Sequence, residues 1–384
     1  NVYSLFNFRI VMKFKVFLIN FFIFILFYLL IDLIFSNFIF KRSVDHKCYI
    51  HVNNGTFYKL RNNCYANMRI ISTIDPYKVY TDKKGLRYSG KKRKTKDKNI
   101  VFLGDSQTFG VGNSWENTFV GILEEKLENY NMYNLGVPSY SPSVYKYVFK
   151  EFLKNNDLDI SKVFVLLDLT DVSDESNRWY EVNGVPTLTE KKIIDKDRSF
   201  FSRFKKENLK GTYIISSKIR FFFRGLKNKS VVKKENRYKP VDGNPTGSFV
   251  YKNHKKLEVC DTDLKEQTSW KCNGIETGLD KISTKISELV KMVKKKNAEF
   301  YLIILPWPDT LNFGQKEFNW ESFVNKICED NNCDGTINMF PDFEDLKKKR
   351  KDWLEIIYLT DDIHLTKTGN RMLSDKIIKE SFKE

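Results

Sequence analysis

From Val16 to Phe40 the chain reads VFLINFFIFILFYLLIDLIFSNFIF, with Asp32 as its one ionisable residue. A helix rises about 1.5 Å per residue, so this run is long enough for the roughly 30 Å hydrocarbon core of a bilayer. A helix buried in a soluble core would carry a polar stripe, and none is visible. The run is too long for the apolar part of a cleaved signal, and no small-residue cleavage site follows it. It predicts an uncleaved signal-anchor that crosses once, within an N-terminal segment of residues 1–42. Asp32 is expected near the far interface, where a carboxylate costs least, with a partner contact as the alternative. Met12 is the expected start, because the residues before it look like no targeting signal.

Orientation has to come from elsewhere. Arg9, Lys13 and Lys15 precede the run and Lys41 and Arg42 follow it, so the positive-inside count hardly decides. The six cysteines (Cys48, Cys64, Cys260, Cys272, Cys328, Cys333) all follow the span, in three close sequence pairs. Even, locally paired cysteines suit disulfides in an oxidising compartment, and no CxxC pair supports a zinc ribbon. The remainder is expected outside the cytoplasm, in the periplasm or at the cell surface. The net charge of +17 suits a basic solvated surface. The basic run GKKRKTKDK has only Tyr88 as a neighbouring aromatic, which does not make a base-stacking surface, so no nucleic-acid partner is expected.

Residues 43–98 read as a polar, irregular lead-in. From residue 99 the pattern changes. Short apolar runs at 99–106, 132–137, 162–169, 300–307 and 336–339 alternate with helical spacings at 115–130, 143–154, 275–297, 320–331 and 367–382. In the long helix, Ile282, Ile286, Leu289, Val290 and Val293 share one face. Run KVFVLLDL (162–169) is apolar throughout, as a strand buried on both faces must be. Strands alternating with helices predict an α/β fold with a doubly wound, mostly parallel sheet over 99–384. The stretch 175–274 breaks the rhythm and reads as an insertion over one end of the sheet.

The sharpest local signal is FLGDSQTFGVG (102–112). An apolar strand runs into Gly104-Asp105-Ser106, which places a serine at the carboxyl end of a strand, where open α/β folds build their sites. A serine hydroxyl needs a base to act as a nucleophile. Of the four histidines, His46, His51 and His254 have no attractive context. His364 lies in LTDDIHLTKTGN (359–370), three residues after Asp361. A carboxylate that close can orient the imidazole through Nδ1 and leave Nε2 for the serine proton.

GDSQTFG resembles the first block of the SGNH/GDSL hydrolases. NLGVPSYS (134–141) resembles the second, with Gly136 matching the oxyanion-hole glycine, and DDIH resembles the last, which supplies acid and base. KGLRYSG (84–90) is similar to the lead-in of many bacterial members. The third block, usually GxND, departs: in LLDLTDVSDE (166–175) Thr170 stands where the oxyanion-donating Asn belongs, followed by Asp171. Such Asp-rich third blocks resemble a membrane-anchored bacterial branch that includes polysaccharide O-acetyltransferase-like proteins. The resemblance covers about 99–170 and 280–384. It implies a flavodoxin-like sheet, a triad of Ser106, Asp361 and His364, an oxyanion hole of Ser106, Gly136 and Thr170, and no cofactor or metal.

The function it implies is a serine esterase acting on an acylated glycan or lipid. An O-acyltransferase with the same triad, served by a multi-span membrane acyl donor, and a non-catalytic glycan-binding module are the alternatives. DNNCDGTIN (330–338) begins like a calcium loop, but its twelfth position is Pro341, so a turn is the expectation. Among Trp179, Tyr180, Trp270, Trp307 and Trp320, Trp307 is the best candidate for a cleft wall. A reporter fused after Glu384 and active only outside the cytoplasm is expected to be active; an inactive, intact fusion sinks the orientation.

Overall fold

The computed structural model describes residues 2–36, 48–52, 57–68, 76–91, 98–188, 209, 211–212, 215–216, 275–315, 318–360 and 362–382. The chain divides into two units, residues 1–46 with 193–235, and 47–192 with 236–384.

In the first unit, α1 (Val2–Ile34) is a single helix. Its stretch Met12–Ile34 is long and apolar enough to cross a membrane and is almost wholly unburied. Asp32 makes its contacts within this unit. Its carboxylate accepts hydrogen bonds from Ser36 Oγ at 2.9 Å, Gly211 N at 2.9 Å, Thr212 N at 2.7 Å and Thr212 Oγ1 at 2.6 Å. A carboxylate beside an apolar helix is stable only with donors of this kind.

The second unit is built on an eight-stranded sheet. Its parallel part comprises β6 (Lys98–Leu103), β7 (Tyr130–Asn134), β8 (Ile160–Leu167), β11 (Glu299–Ile304) and β12 (Gly335–Asn338), in the order β12-β11-β8-β6-β7. With β6 as the first parallel strand this is the flavodoxin-like 2-1-3-4-5 order, and the switch point falls at β6 and β8. Helices α4 (Pro142–Lys154) and α6 (Ile275–Lys294) pack together, and α3 (Phe119–Lys126) packs with α11 (Lys367–Ser381). Ile282, Ile286, Leu289, Val290 and Val293 are all buried, as their spacing predicts. Strand β8 is buried along nearly its whole length. Lys162 is tolerated there because its Nζ meets Glu299 Oε2 at 2.6 Å.

The predicted helix over 115–130 is instead a 3₁₀ turn, Trp115–Asn117, followed by α3. Thr118 caps α3 by accepting from Gly121 N at 3.1 Å. The lead-in is not irregular. It contains β1 (Tyr49–Val52) paired with β2 (Phe57–Leu60), and β3 (Tyr65–Met68), β4 (Tyr77–Thr81) and β5 (Arg87–Tyr88), which extend the main sheet antiparallel from β7. In β4, buried Tyr77, Val79 and Thr81 alternate with exposed or half-buried Lys78 and Tyr80, the period-two pattern of a strand with one wet face. A disulfide joins Cys48 to Cys64. Cys328 and Cys333 are free thiols, against the expected pairing. Cys328, on α8 (Trp320–Asp330), donates its thiol to Gly335 O at 3.5 Å instead. Residues 260, 270 and 272, and most of the 175–274 insertion, lie outside the described residues. The described part of that insertion includes the end of α5 (Thr170–Asn177) and the hairpin β9 (Trp179–Val182) and β10 (Val185–Leu188).

Arg87 shows what the lead-in is for. It is fully buried, and its guanidinium donates to Phe109 O, Gly110 O and Asn113 O while lying 4.5 Å over the Phe109 ring. Burial pushes its pKa down to about 10, against the favourable charge of Tyr77. Five fixed donors on one planar group match a set of loop carbonyls better than any other side chain does. Replacing it leaves buried carbonyls without a donor, so Arg87→Met is expected to lower the unfolding free energy by about 3 kcal/mol, measured as a shifted midpoint in urea.

Candidate active site

Strand β6 ends at Leu103, and the chain turns at Gly104 (φ 153°) into α2 (Ser106–Phe109). A Cβ at Gly104 would stand 2.1 Å from Thr108 Oγ1, so only glycine permits the turn. Asp105 caps it, its Oδ1 accepting from Gln107 N at 3.0 Å. Ser106 opens the helix, half-buried, and its hydroxyl donates to Asp105 Oδ2 at 3.0 Å.

His364 is delivered to this turn by the loop before α11. Gln107 Nε2 donates to Ile363 O at 3.0 Å, and Asn113 Nδ2 donates to Leu365 O at 2.8 Å. The two carbonyls that flank His364 are therefore held by side chains of the serine segment. Within the loop, Leu359 N donates to His364 O at 2.8 Å and Thr366 N to Ile357 O at 2.8 Å. Neither Gln107 nor Asn113 was singled out in the sequence; an amide signals nothing until its partner carbonyl is known.

The carboxylate on His364 Nδ1 is Asp362 Oδ1. Asp361, the expected acid, lies outside the described residues, and Nδ1 is already engaged. Asp362 Oδ1 also accepts from Ile363 N at 2.7 Å and His364 N at 3.1 Å, a local turn that brings a carboxylate two residues back onto the ring. Burial acts to raise the Asp362 carboxyl, but the His364 hydrogen bond and charge, with these N–H groups, outweigh it and hold the group below its ordinary value. His364 Nε2 is buried and has no hydrogen-bond partner among the described residues. With Nδ1 on a carboxylate, it is the nitrogen free to take a proton.

The expected oxyanion donors are all near acceptors of their own. Gly136 N donates to Asn134 Oδ1 at 2.9 Å. Gly136 lies against α2, where a Cβ would come within 2.7 Å of Phe109 N. Thr170 donates both its N–H and its hydroxyl to Asp168 Oδ1, each at 2.8 Å. The Ser106 N–H acts on the Asp105 carboxylate. Asp171 faces away from any such role: its carboxylate accepts Tyr145 Oη at 2.8 Å and Asp168 N at 2.9 Å.

Behind the serine lies a group of buried carboxylates that the sequence did not announce: Asp105, Asp168, Asp171 and Glu175 are at most 3% exposed. Burial raises Asp105, and the hydrogen bonds of Gln107 and Ser106 and the charge of His364 oppose it. Burial, then the Asp105 charge, pushes Asp168 up to about 7. Burial pushes Asp174 up to about 8, with Arg178 opposing. Burial raises Glu175, which accepts Ser141 Oγ at 2.6 Å, Ser143 N at 2.6 Å and Ser143 Oγ at 2.7 Å. Among the described residues no group of three His, Cys, Asp or Glu has the arrangement of a metal site. In the 330–338 segment, Asp334 Oδ2 accepts from Phe300 N and Lys294 Nζ, each at 2.6 Å, which makes it a strand-end clamp.

Trp307 is 3% exposed and donates its indole N–H to Asp168 Oδ2 at 3.0 Å, so it stands over the strand ends beside Thr170. Trp179 and Trp320 are core residues.

No protein-family model and no curated protein matches the sequence. The structure is similar to that of a member of the lipolytic protein G-D-S-L family from Veillonella parvula, at 10% identity and TM-score 0.40, over 75% of this chain and all of that one. It is similar to a psychrotrophic esterase from Pseudoalteromonas sp. at 13% identity and TM-score 0.37, over 73% and 95%. It is also similar to an acetylxylan esterase from Geobacillus stearothermophilus at 12% identity and TM-score 0.39, over 75% and 96%. At these values the chemistry rests on the residues of this chain alone.

The assignment of the acid is directly measurable. Asp362→Ala is expected to abolish the downfield proton resonance of His364 Nδ1, and Asp361→Ala to leave it in place.

Proposed function

We propose that this chain is a serine-dependent SGNH-type esterase that cleaves an ester-linked acyl group from a glycan or lipid outside the cytoplasm. One observation carries the reading: Ser106 at the switch point and His364 are tied into one site by Gln107 and Asn113, with His364 Nδ1 on Asp362 and Nε2 without a partner among the described residues.

The chemistry follows from that arrangement. The Ser106 hydroxyl turns from Asp105 to His364 Nε2, which takes its proton as the oxygen attacks the ester carbonyl. Asp362 holds the imidazole in the right tautomer and stabilises the imidazolium. The tetrahedral oxyanion is met by the N–H groups of Ser106 and Gly136, the latter released by Asn134. His364 then protonates the departing alcohol, and the acyl group remains on Ser106 Oγ. Water, deprotonated by the same Nε2, attacks the acyl-enzyme and releases the acid. The apolar anchor helix suits a substrate carried at or near a membrane surface.

The test uses the full chain in detergent, with p-nitrophenyl acetate and a fluorophosphonate probe. The wild type is expected to release nitrophenol and to be labelled at Ser106. Ser106→Ala and His364→Ala are expected to lose about 10,000-fold or more in kcat, since each removes a member of a unit that acts together. A folded wild-type chain that neither turns over ester nor takes the probe sinks the reading.

A further inference from the structure

Among the described residues, the hydrogen bonds that Asp168 accepts come from groups at the mouth of the sheet. Strands β11, β8 and β6 are neighbours, paired Ile304 to Leu167 and Leu103 to Val165. Trp307, Asp168 and Ser106 therefore leave three adjacent strand ends within a few residues of one another. Asp168 Oδ1 takes both donors of Thr170, and Oδ2 takes the Trp307 indole. In this arrangement the Thr170 hydroxyl hydrogen points at Asp168, and an ionised Asp168 would set a negative charge beside a developing oxyanion.

A protonated Asp168 reverses both effects. With the proton on Oδ1, that oxygen donates to Thr170 Oγ1 while its remaining lone pair still accepts the Thr170 N–H. Oδ2 continues to accept from Trp307. The threonine hydroxyl, now accepting, must send its own hydrogen elsewhere. Resting on the esterase reading above, we propose that Asp168 and Thr170 form a hydrogen-bond relay that supplies the third oxyanion donor: the Asp168 carboxyl donates to Thr170 Oγ1, and the Thr170 hydroxyl donates to the oxyanion. Asp168 is the positioning residue and Thr170 the donor. No proton leaves the pair; only the direction of the hydrogen bonds changes.

The surroundings favour the protonated form near neutrality. Asp105 faces Asp168 from the end of β6, Asp171 and Asp174 from α5, and Tyr145 from α4. The opposing positive groups act on its neighbours, His364 on Asp105 and Arg178 on Asp174. Burial and the Asp105 charge place the Asp168 transition at about 7. The sign follows: the relay is set below that pH and is lost as pH rises through it, so kcat falls on the alkaline side.

The variants separate the relay from a structural role. Asp168→Ala has no carboxyl to orient the Thr170 hydroxyl at any pH. Thr170→Val has no hydroxyl to donate. Each is expected to lower kcat at pH 6 by about 100-fold with KM little changed, and to lack the alkaline fall near 7. The double variant is expected to be no slower than either single one, because both remove the same donor. Thr170→Ser, which keeps the hydroxyl, is expected to retain both the rate and the alkaline fall. Measurements are kcat and KM for p-nitrophenyl acetate from pH 5.5 to 9 (about one unit or more either side of the transition), on full-length variants that unfold cooperatively. An alkaline fall that persists unchanged in Thr170→Val, or additive losses in the double variant, overturns the relay while leaving the esterase intact. Wild-type turnover that survives Ser106→Ala overturns the esterase reading and the relay with it.

Discussion

Two side-chain amides hold the site together. Ser106 and His364 belong to opposite ends of the folded unit, and nothing in the sheet ladder joins them. The joint is made where Gln107 and Asn113 donate to the carbonyls of Ile363 and Leu365. Buried carbonyls in a loop have to find donors, because leaving one unmade costs about 1–3 kcal/mol. The same bonds that satisfy the loop therefore tie the backbone on either side of His364 to the serine segment. Arg87 does the equivalent service one layer out, capping Phe109 O, Gly110 O and Asn113 O. A short antiparallel extension of the sheet is thus what keeps Asn113, and through it His364, in place.

The electrostatic design runs the other way. A well-packed interior disfavours charge, and here Asp105, Asp168, Asp171, Asp174 and Glu175 are crowded behind one nucleophile. Their desolvation is only partly offset by hydrogen bonds from Ser141, Ser143, Tyr145, Thr170 and Trp307. Groups in that position respond by holding protons rather than by bearing several adjacent charges. Burial pushes Asp168 and Asp174 up to about 7 and about 8, so these carboxyls hold their protons to higher pH than exposed ones do.

Much of this was legible in the sequence. The parallel strands announce themselves as continuous apolar runs because both of their faces are covered. Ser106 stands out because a strand that runs into a glycine turn is a strong local signal, and His364 because its loop lies far C-terminal behind that motif. The acid was harder. DDIH offers two adjacent carboxylates, and the spacing alone favours Asp361. What brings Asp362 onto the imidazole is its turn onto the N–H groups of Ile363 and His364, a three-dimensional preference that spacing does not record. Strands β2 to β5 were missed because they are short and half polar, so that Lys59 in β2 and Lys78 in β4 mask the alternation. Arg87 was legible only as part of KGLRYSG, with nothing in the sequence to mark its burial. The Cys328 and Cys333 thiols sit five residues apart and suggest a clip, yet they stand as two free cysteines.

The departure of the third block acquires a physical meaning from these contacts. A glycine followed by an asparagine two positions later would supply a neutral donor with no titrating neighbour. This chain has Asp168 and Thr170 instead, and keeps a desolvated carboxylate at the end of its most buried strand. Such a residue is a local cost in a fold that otherwise obeys its own patterning, and costs of that kind concentrate where function constrains the sequence. If Asp168 served packing alone, an apolar side chain would fill the strand end more cheaply. Its two oxygens are instead divided, one for Thr170 and one for Trp307. That division lets a single protonation change the donor facing the substrate without moving the backbone or the wall beside it.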